Sequence, residues 1–159
     1  MTILDQYTEL KKTANRRGSG KLMNNYIAYL RAAYIIHQSG HWKCKSPQFY
    51  GNHLLLNRLY DSVQERVDAA AEKTIGLFGN DSLDDSQQIV TMKKLIAKYS
   101  SEDHLSNSLA IEQAFITVGK ETYDAIKASN DMTLGLDDLI MAQCSTAETS
   151  VYLLKQAIG

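Results

Sequence analysis

Apolar residues recur along most of this chain at the three- and four-residue spacing that places them on one side of an α-helix. Between these stretches lie residues that end helices or form turns, among them Pro47 and Gly79. The pattern predicts four long helices, at about 22–44, 52–78, 101–129 and, with Thr133 as its N-cap, 133–158. A shorter helix is predicted within 82–99, where Ser82 and Asp85 resemble a capping pair.

The order of these helices indicates the fold. The long connection between the second and third helices contains the short helix, and such a connection allows the chain to cross over the bundle. We therefore expect an all-α chain, folded as a ferritin-like four-helix bundle with a short extra helix in the crossover. At 159 residues the chain has the size of one domain. We expect a polar, basic N-terminal segment at residues 1–21, followed by this single domain at residues 22–159.

Charge and composition exclude several classes of protein. A net charge of −1 gives no overall attraction to nucleic acid or membrane. The sequence has no apolar run long enough to span a membrane and no signal-peptide pattern at its start, so we expect a cytoplasmic protein. Cys44 and Cys144 have neither zinc-site spacing nor a disulfide framework, and we expect them to be free thiols.

The second predicted helix carries a polar stripe. At about 100° per residue, six polar residues fall within an arc of about 120°. Imidazole and carboxylate groups together suit a transition metal. However, a helix rises about 1.5 Å per residue, so the first and last of the six are about 28 Å apart and cannot hold one ion within a single chain. The stripe consists of His53, Asn57, Asp61, Glu65, Asp68 and Glu72.

The spacing of the stripe is symmetric about a point near residues 62 and 63. Positions 53 and 72 are equally far from that point, and so are positions 57 and 68. If the helix packs antiparallel against a copy of itself about a two-fold axis there, position 53 lies opposite position 72 of the copy. This predicts a metal site between subunits, present twice per dimer. The alternative is that the stripe is only the solvated face of an amphipathic helix.

A wider motif surrounds the stripe. His41 and Trp42 end the first predicted helix, His53 follows twelve residues after His41 in HWKCKSPQFYGNH, and Asp68-x-x-x-Glu72 follows on the second helix. Glu-x-x-His, the motif of di-iron sites inside one bundle, is absent from the sequence, which disfavours an intrasubunit di-iron oxidase. The combination resembles the Dps family, the DNA-binding proteins from starved cells, also called mini-ferritins. The resemblance covers about residues 22–158.

This resemblance implies a function and a set of site residues. His41 and His53 match the family's iron-ligating histidines, and Asp68 and Glu72 match carboxylates that the facing subunit supplies. The resemblance implies a ferroxidase that oxidises Fe(II) with hydrogen peroxide and stores ferric mineral in a hollow homo-oligomeric shell, a dodecamer, so that DNA is protected from oxidative damage. Iron is the metal, and no organic cofactor is expected. Trp42 matches a family tryptophan that takes up oxidising equivalents, although packing at an interface would explain it equally well.

Two departures from the family pattern affect the site. Asn57 stands where relatives have an aspartate, and Leu54 stands where they often have a glutamate. Because an amide is uncharged, we expect Asn57 to hold iron weakly or through water, which reduces ferroxidase activity. This departure keeps open an alternative function, a structural or DNA-compacting shell with weakened ferroxidase activity.

Further residues match parts of the family that lie away from the metal site. Asp138 and Glu148 match acids that line a three-fold pore, with Asp137 as a possible substitute; ordinary surface acids are the alternative. Five basic residues of the N-terminal segment could bind DNA as a multivalent set, or the segment could lie on the protein surface. These basic residues are Lys11, Lys12, Arg16, Arg17 and Lys21.

Five further residues have no assigned role. His37 has no family counterpart, and we expect a packed or solvent-touching histidine rather than a ligand. His104 is expected at the surface. The tyrosines of the first helix, Tyr26, Tyr29 and Tyr34, are expected to be packing residues.

Overall fold

The computed structural model describes residues 2–159, and this range contains five α-helices, one short 3₁₀ turn and no β-strand. Met1, the first residue of the predicted N-terminal segment, lies outside it. Helices α1, α2, α4 and α5 form the bundle, and α3 packs against α1 within the connection between α2 and α4. The expected all-α bundle with a crossover helix is confirmed. The helices are α1 Ile3–Lys43, α2 Phe49–Phe78, α3 Asp85–Lys98, α4 His104–Ala128 and α5 Leu134–Ile158, and the turn is Asn80–Ser82.

The core follows the apolar spacing seen in the sequence. Met23, Ile27 and Leu30 of α1 are fully or almost fully buried, as are Val63 of α2 and Phe115 of α4. A second, smaller cluster lies at the end of the bundle where α1 meets α2. It contains Cys44, Leu56, Leu59 and Leu154, and it supports the backbone that carries His41 and His53.

Helix α1 begins much earlier than the sequence predicted. We expected its start near Leu22, but it begins at Ile3, so the basic stretch is a helix that continues into the bundle. Thr2 and Asp5 form a capping box: the Thr2 hydroxyl accepts from the Asp5 amide, and the Asp5 carboxylate accepts from the Thr2 amide. Such a cap and the absence of proline favour helix formation. Because residues 3–17 are all exposed, their polarity could not distinguish a helix from an irregular lead-in.

Gly18-Ser19-Gly20 also lies inside α1. Gly20 is needed for packing, since a Cβ there would lie 2.9 Å from the Ser82 Cβ and 3.3 Å from the Phe78 Cβ. Ser19 is buried, and its hydroxyl donates to Asp131 at 2.7 Å. Ser19 and Gly20 therefore join α1 to neighbouring elements.

The remaining boundaries differ in detail. Asp84, rather than Ser82, caps α3, because its side chain accepts from the Gln87 amide. Helix α4 starts at His104, after its N-cap Asp103 and three residues beyond the expected Ser101. The expected N-cap of α5 is confirmed, since the Thr133 hydroxyl accepts from the Leu136 amide.

Two further properties concern the whole chain. Within residues 2–159, each helix is too short or too polar to cross a lipid bilayer. Cys44 and Cys144 are free thiols, as expected, and burial raises the pKa of each.

Candidate metal centre

The end of α1 and the start of α2 bring His41 and His53 together. Their imidazole rings stack with centroids 3.7 Å apart and planes at 22°. Both side chains are half-buried. The tight turn around Pro47 reverses the chain between the two helices, which is why residues twelve apart in sequence meet side by side.

Reciprocal hydrogen bonds fix the two rings. The His41 Nδ1–H donates to the His53 carbonyl at 2.9 Å, and the His53 Nδ1–H donates to the His41 carbonyl at 2.8 Å. A carbonyl only accepts, so Nδ1 carries the proton in each ring. In the neutral form of each ring, Nε2 therefore retains its lone pair. Metal-binding histidines are oriented by this kind of backbone hydrogen bond. Metal binding by this pair stays a prediction.

Exposed apolar side chains lie close in sequence to the two histidines, and the Phe49 ring lies 5.1 Å from the His53 ring. Trp42 is 66% exposed, Phe49 45%, Tyr50 72% and Leu54 49%. We call these four residues the apolar patch. A group of exposed large apolar residues is typical of a surface that another protein covers.

The predicted carboxylates lie elsewhere on the same protomer. Asp68 and Glu72 are exposed on α2, and the helical rise places them about 22 Å and 28 Å along the axis from His53. Within residues 2–159, no three His, Cys, Asp or Glu side chains are grouped closely enough to hold a metal. One protomer therefore brings together the two imidazoles and leaves the carboxylates distant. A shared site between subunits stays a prediction.

Asn57 is held by two hydrogen bonds. Its Nδ2 donates to Asp61 Oδ2 at 2.7 Å, and its Oδ1 accepts from the Tyr60 hydroxyl at 2.9 Å. The amide oxygen already has one partner, so only one lone pair is left for an ion or a water. Loss of hydration raises the pKa of the Tyr60 phenol, and the Asp61 carboxylate raises it further.

Two tyrosines extend the histidine pair along the helices. The Tyr60 ring meets the His41 ring edge-on at 5.4 Å between centroids. The Tyr34 ring meets the Tyr60 ring in the same manner at 5.7 Å.

A buried charged network, which sequence reasoning missed, occupies the middle of the bundle. His37 is fully buried rather than solvent-touching, and its Nε2–H donates to the Glu112 carboxylate at 2.9 Å. Arg66 Nη1 lies 3.6 Å from the same carboxylate oxygen, and the guanidinium lies 4.7 Å from the Phe115 ring centroid. A signal existed: Glu112 falls at helical spacing between Ser108 and Phe115, on the buried face of α4.

The network does not resemble a metal site. A guanidinium occupies the position beside the carboxylate where a cation would bind. Four buried polar atoms lack a hydrogen-bond partner among the described residues: His37 Nδ1, Arg66 Nε, Ser108 Oγ and Glu112 Oε2. Groups of this kind in a bundle interior are satisfied by internal water.

The predicted pore acids both lie on α5. Asp138 and Glu148 are exposed, and ten residues of helix separate them by about 15 Å. Asp137 accepts from the Tyr123 hydroxyl at 3.3 Å, so part of its bonding capacity is used. The pore assignment stays a prediction.

The five N-terminal basic residues lie on the exposed part of α1. Arg16 Nη2 donates to the Leu77 carbonyl at 2.9 Å, near the end of α2. Arg16, Arg17 and Lys21 line an open groove of about 710 Å³. A role in DNA binding stays a prediction.

Comparison with known proteins relates this geometry to a family. A family model described as a ferritin-like domain matches residues 20–143. A nutrient stress-induced DNA-binding protein from a Nostoc species is 30% identical over 99 residues, which are 60% of this chain and 54% of that protein. The chain thus spans about half the length of this curated relative.

Solved structures agree on the fold. Dps from Thermosynechococcus elongatus matches with a TM-score of 0.77 at 18% identity, over 93% of this chain and 94% of that chain. Dps from Vibrio cholerae, described as a member of a broad superfamily of ferritin-like diiron-carboxylate proteins, matches with a TM-score of 0.76 at 15% identity, over 92% of each chain. The chain belongs to the ferritin-like family, and its similarity to Dps proteins confirms the resemblance seen in the sequence.

Proposed function

We propose that this chain is the subunit of a Dps-like iron-storage and detoxification protein. In this proposal, subunits pair about a two-fold axis, and each pair forms two sites that oxidise Fe(II) with hydrogen peroxide. Ferric mineral collects inside a hollow dodecameric shell, which protects DNA from oxidative damage. The protein acts in the cytoplasm, and near the nucleoid if it binds DNA.

The observation that carries the proposal is the histidine pair. His41 and His53 each have Nδ1–H fixed on a carbonyl, so Nε2 of the neutral ring keeps its lone pair. Two imidazoles held in this way supply half of the ligand set of an iron site. Carboxylates are the natural complement, because imidazole and carboxylate ligands together suit Fe(II).

Three further observations support an origin of those carboxylates in a second subunit. Asp68 and Glu72 are too distant to reach the histidines of their own chain. Their spacing on α2 is symmetric with that of His53 and Asn57. The apolar patch next to the histidines exposes surface that a second copy would cover.

The relatives are consistent with this reading. The Nostoc relative is named for DNA binding under nutrient stress, and the Vibrio cholerae structure is assigned to the diiron-carboxylate proteins. Such proteins combine metal-binding side chains from facing helices. Their activities support the proposal for this chain by analogy of fold.

Iron oxidation tests the proposal directly. Fe(II) is added to the protein anaerobically, hydrogen peroxide follows, and ferric absorbance is recorded while electron microscopy shows whether a mineral core forms. We expect fast oxidation and a core with the wild-type protein and neither with His41→Ala/His53→Ala. Equal rates for the two proteins would contradict the proposal. His104→Ala, which changes a histidine at the start of α4, is the control.

A second candidate function is a structural or DNA-compacting shell with weak ferroxidase activity. Asn57 favours it, because its amide is uncharged and already bonded to Asp61 and Tyr60. The exposed basic helix of α1 also favours it. A gel shift over a salt series decides: retention of DNA that falls with rising salt supports this function, and no retention at low salt excludes it.

A further inference from the structure

Because Asn57 stands where relatives have an aspartate, the proposed site has too few electrons available to reduce hydrogen peroxide fully. Reduction of one hydrogen peroxide to water takes two electrons, whereas one Fe(II) gives one. If the second iron position is weak, one Fe(II) at His41 and His53 meets peroxide alone. Without another electron donor at the site, that reaction releases a hydroxyl radical, the species that such a protein should prevent.

The packing of α1 against α2 places a second donor at this point. Tyr34 precedes His41 by seven residues on α1, and Tyr60 follows His53 by seven on α2. Seven residues are two helical turns, so the antiparallel helices bring two pairs together at two levels: His41 with His53, and Tyr34 with Tyr60. The centroid distances are 3.7 Å and 5.7 Å.

The two levels are in direct contact. The Tyr60 ring lies edge-on to the His41 ring, with 5.4 Å between centroids. The phenol of Tyr60 therefore adjoins an imidazole that would bind iron. Its hydroxyl donates to Asn57 Oδ1 at 2.9 Å, so the same side chain that weakens the second iron position also orients the phenol.

We propose that Tyr60, with Tyr34 behind it, supplies the second electron when hydrogen peroxide oxidises a single Fe(II) at this site. The inference rests on the proposed ferroxidase function and adds Tyr60 as an electron donor in that reaction. Tyr34 was expected from the sequence to be a packing residue; here it shares the oxidising equivalent with Tyr60. Tyr60 is preferred to Trp42 because the Tyr60 ring meets the His41 ring, with 5.4 Å between centroids.

The step balances. The O–O bond of peroxide breaks; Fe(II) gives one electron and becomes Fe(III), and the phenol gives one electron and its proton and becomes a phenoxyl radical. The phenolic proton and one proton from solvent complete two water molecules. A second Fe(II) that arrives at the same ligands then returns one electron to the phenoxyl radical, and solvent returns the proton. Two Fe(II) are thus oxidised per peroxide, one at a time.

The experiment uses the assembled protein, one Fe(II) per site and excess hydrogen peroxide. Freeze-quenched electron paramagnetic resonance, on protein with ring-deuterated tyrosine, detects a tyrosyl radical. A spin trap reports hydroxyl radical, and absorbance reports Fe(III). For the wild-type protein we expect a tyrosyl signal and little trapped radical. For Tyr60→Phe, which keeps the ring and its packing, we expect the signal to fall several-fold and trapped radical to rise several-fold.

Matched variants isolate the role of Tyr60. Tyr29→Phe changes a half-buried tyrosine of α1 that lies near Tyr99 and Glu121, and it should behave as wild type. Tyr34→Phe should keep a radical on Tyr60 with an altered lifetime. With two Fe(II) per site, Asn57→Asp should show a smaller tyrosyl signal than the wild-type protein at the same loading, because a second bound iron then supplies the second electron.

The outcomes separate this inference from the proposed function. If Tyr60→Phe oxidises Fe(II) with unchanged tyrosyl signal and unchanged trapped radical, the role of Tyr60 is wrong and the ferroxidase function stands. A radical that belongs to Trp42 alone would have the same meaning. If the wild-type protein oxidises Fe(II) no faster than His41→Ala/His53→Ala, the proposed function fails and the role of Tyr60 fails with it.

Discussion

His37, Arg66 and Glu112 form a charged group with almost no access to solvent. A buried ion pair is expensive to desolvate, and its partners depend on one another once it has formed. Here one carboxylate serves both an imidazole and a guanidinium. The three residues come from three different helices, so their mutual bonds specify how α1, α2 and α4 are aligned.

Removal of the Glu112 carboxylate should therefore lower the stability of the folded protein. Glu112→Leu leaves Arg66 charged and buried without its partner, and we expect it to lower the free energy of unfolding by about 3–5 kcal/mol. The double variant Glu112→Leu/Arg66→Met should recover most of this loss. Urea denaturation measures both, with exposed Glu121→Gln as a control that changes the free energy by less than about 0.5 kcal/mol. A double variant as unstable as the single one would contradict the pairing.

The second prediction at the residue scale concerns how Asn57 affects iron affinity and stability. Asn57→Asp places a carboxylate where the amide now donates to Asp61 at 2.7 Å, so two negative charges face each other. The metal-free protein should lose thermal stability, and Fe(II) should bind more tightly and with more iron per site. Calorimetric titration with Fe(II) measures this, with Asn57→Asp/Asp61→Asn as the charge-matched control. Unchanged affinity and stoichiometry would refute the role given to Asn57.

At the level of helices, sequence predicted what depends on local spacing. The apolar periodicity located all five helices, and Thr133 was identified as an N-cap from its residue type alone. Prediction from sequence was wrong where a contact distant in sequence determines the local conformation. Gly18-Ser19-Gly20 has the composition of a break, yet it is helical because Ser82 and Asp131 pack and bond against it. The start of α1 was placed nineteen residues too late for another reason: residues 3–17 are exposed, and their polarity does not distinguish a helix from an irregular lead-in.

The two glycines of α1 offer a matched test of this packing. Alanine is the better helix former by about 0.5–1 kcal/mol, so Gly18→Ala, which meets no atom within 4 Å, should raise the melting temperature. Gly20→Ala gains the same propensity but brings its Cβ to 2.9 Å from the Ser82 Cβ, and it should lower the melting temperature. Equal shifts in the same direction would contradict a close contact between α1 and the Asn80–Ser82 turn.

At the level of the whole molecule, sequence could predict the histidine part of the candidate site more directly than the carboxylate part. The meeting of His41 and His53 follows from one loop between two helices, which sequence spacing describes. In our proposal the carboxylates come from a second subunit, and the symmetric spacing of α2 is the signal for it. The charged network around Glu112 was not predictable to the same degree, because it depends on how three helices face one another.

In the proposed shell, the rate of iron uptake should depend on the acids at the point of entry. If Asp138 and Glu148 line a pore, Asp138→Asn/Glu148→Gln should slow iron uptake by weakening the local attraction for Fe(II), while the assembled mass stays unchanged. Stopped-flow absorbance and light scattering measure the two quantities. Asp124→Asn, an exposed acid on α4 that pairs with Lys120, is the control. Uptake at the wild-type rate would remove the pore assignment.

The central claim is that each subunit lends its imidazoles to one site and its carboxylates to another. The most direct test mixes two inactive proteins, His41→Ala/His53→Ala and Asp68→Ala/Glu72→Ala, and reassembles them together. Each mixed dimer then contains one site with all four native ligands, so random pairing should restore about one quarter of wild-type Fe(II) oxidation. If the mixture stays as inactive as its components while mixed dimers are present, the ligands do not come from two subunits and the account is wrong.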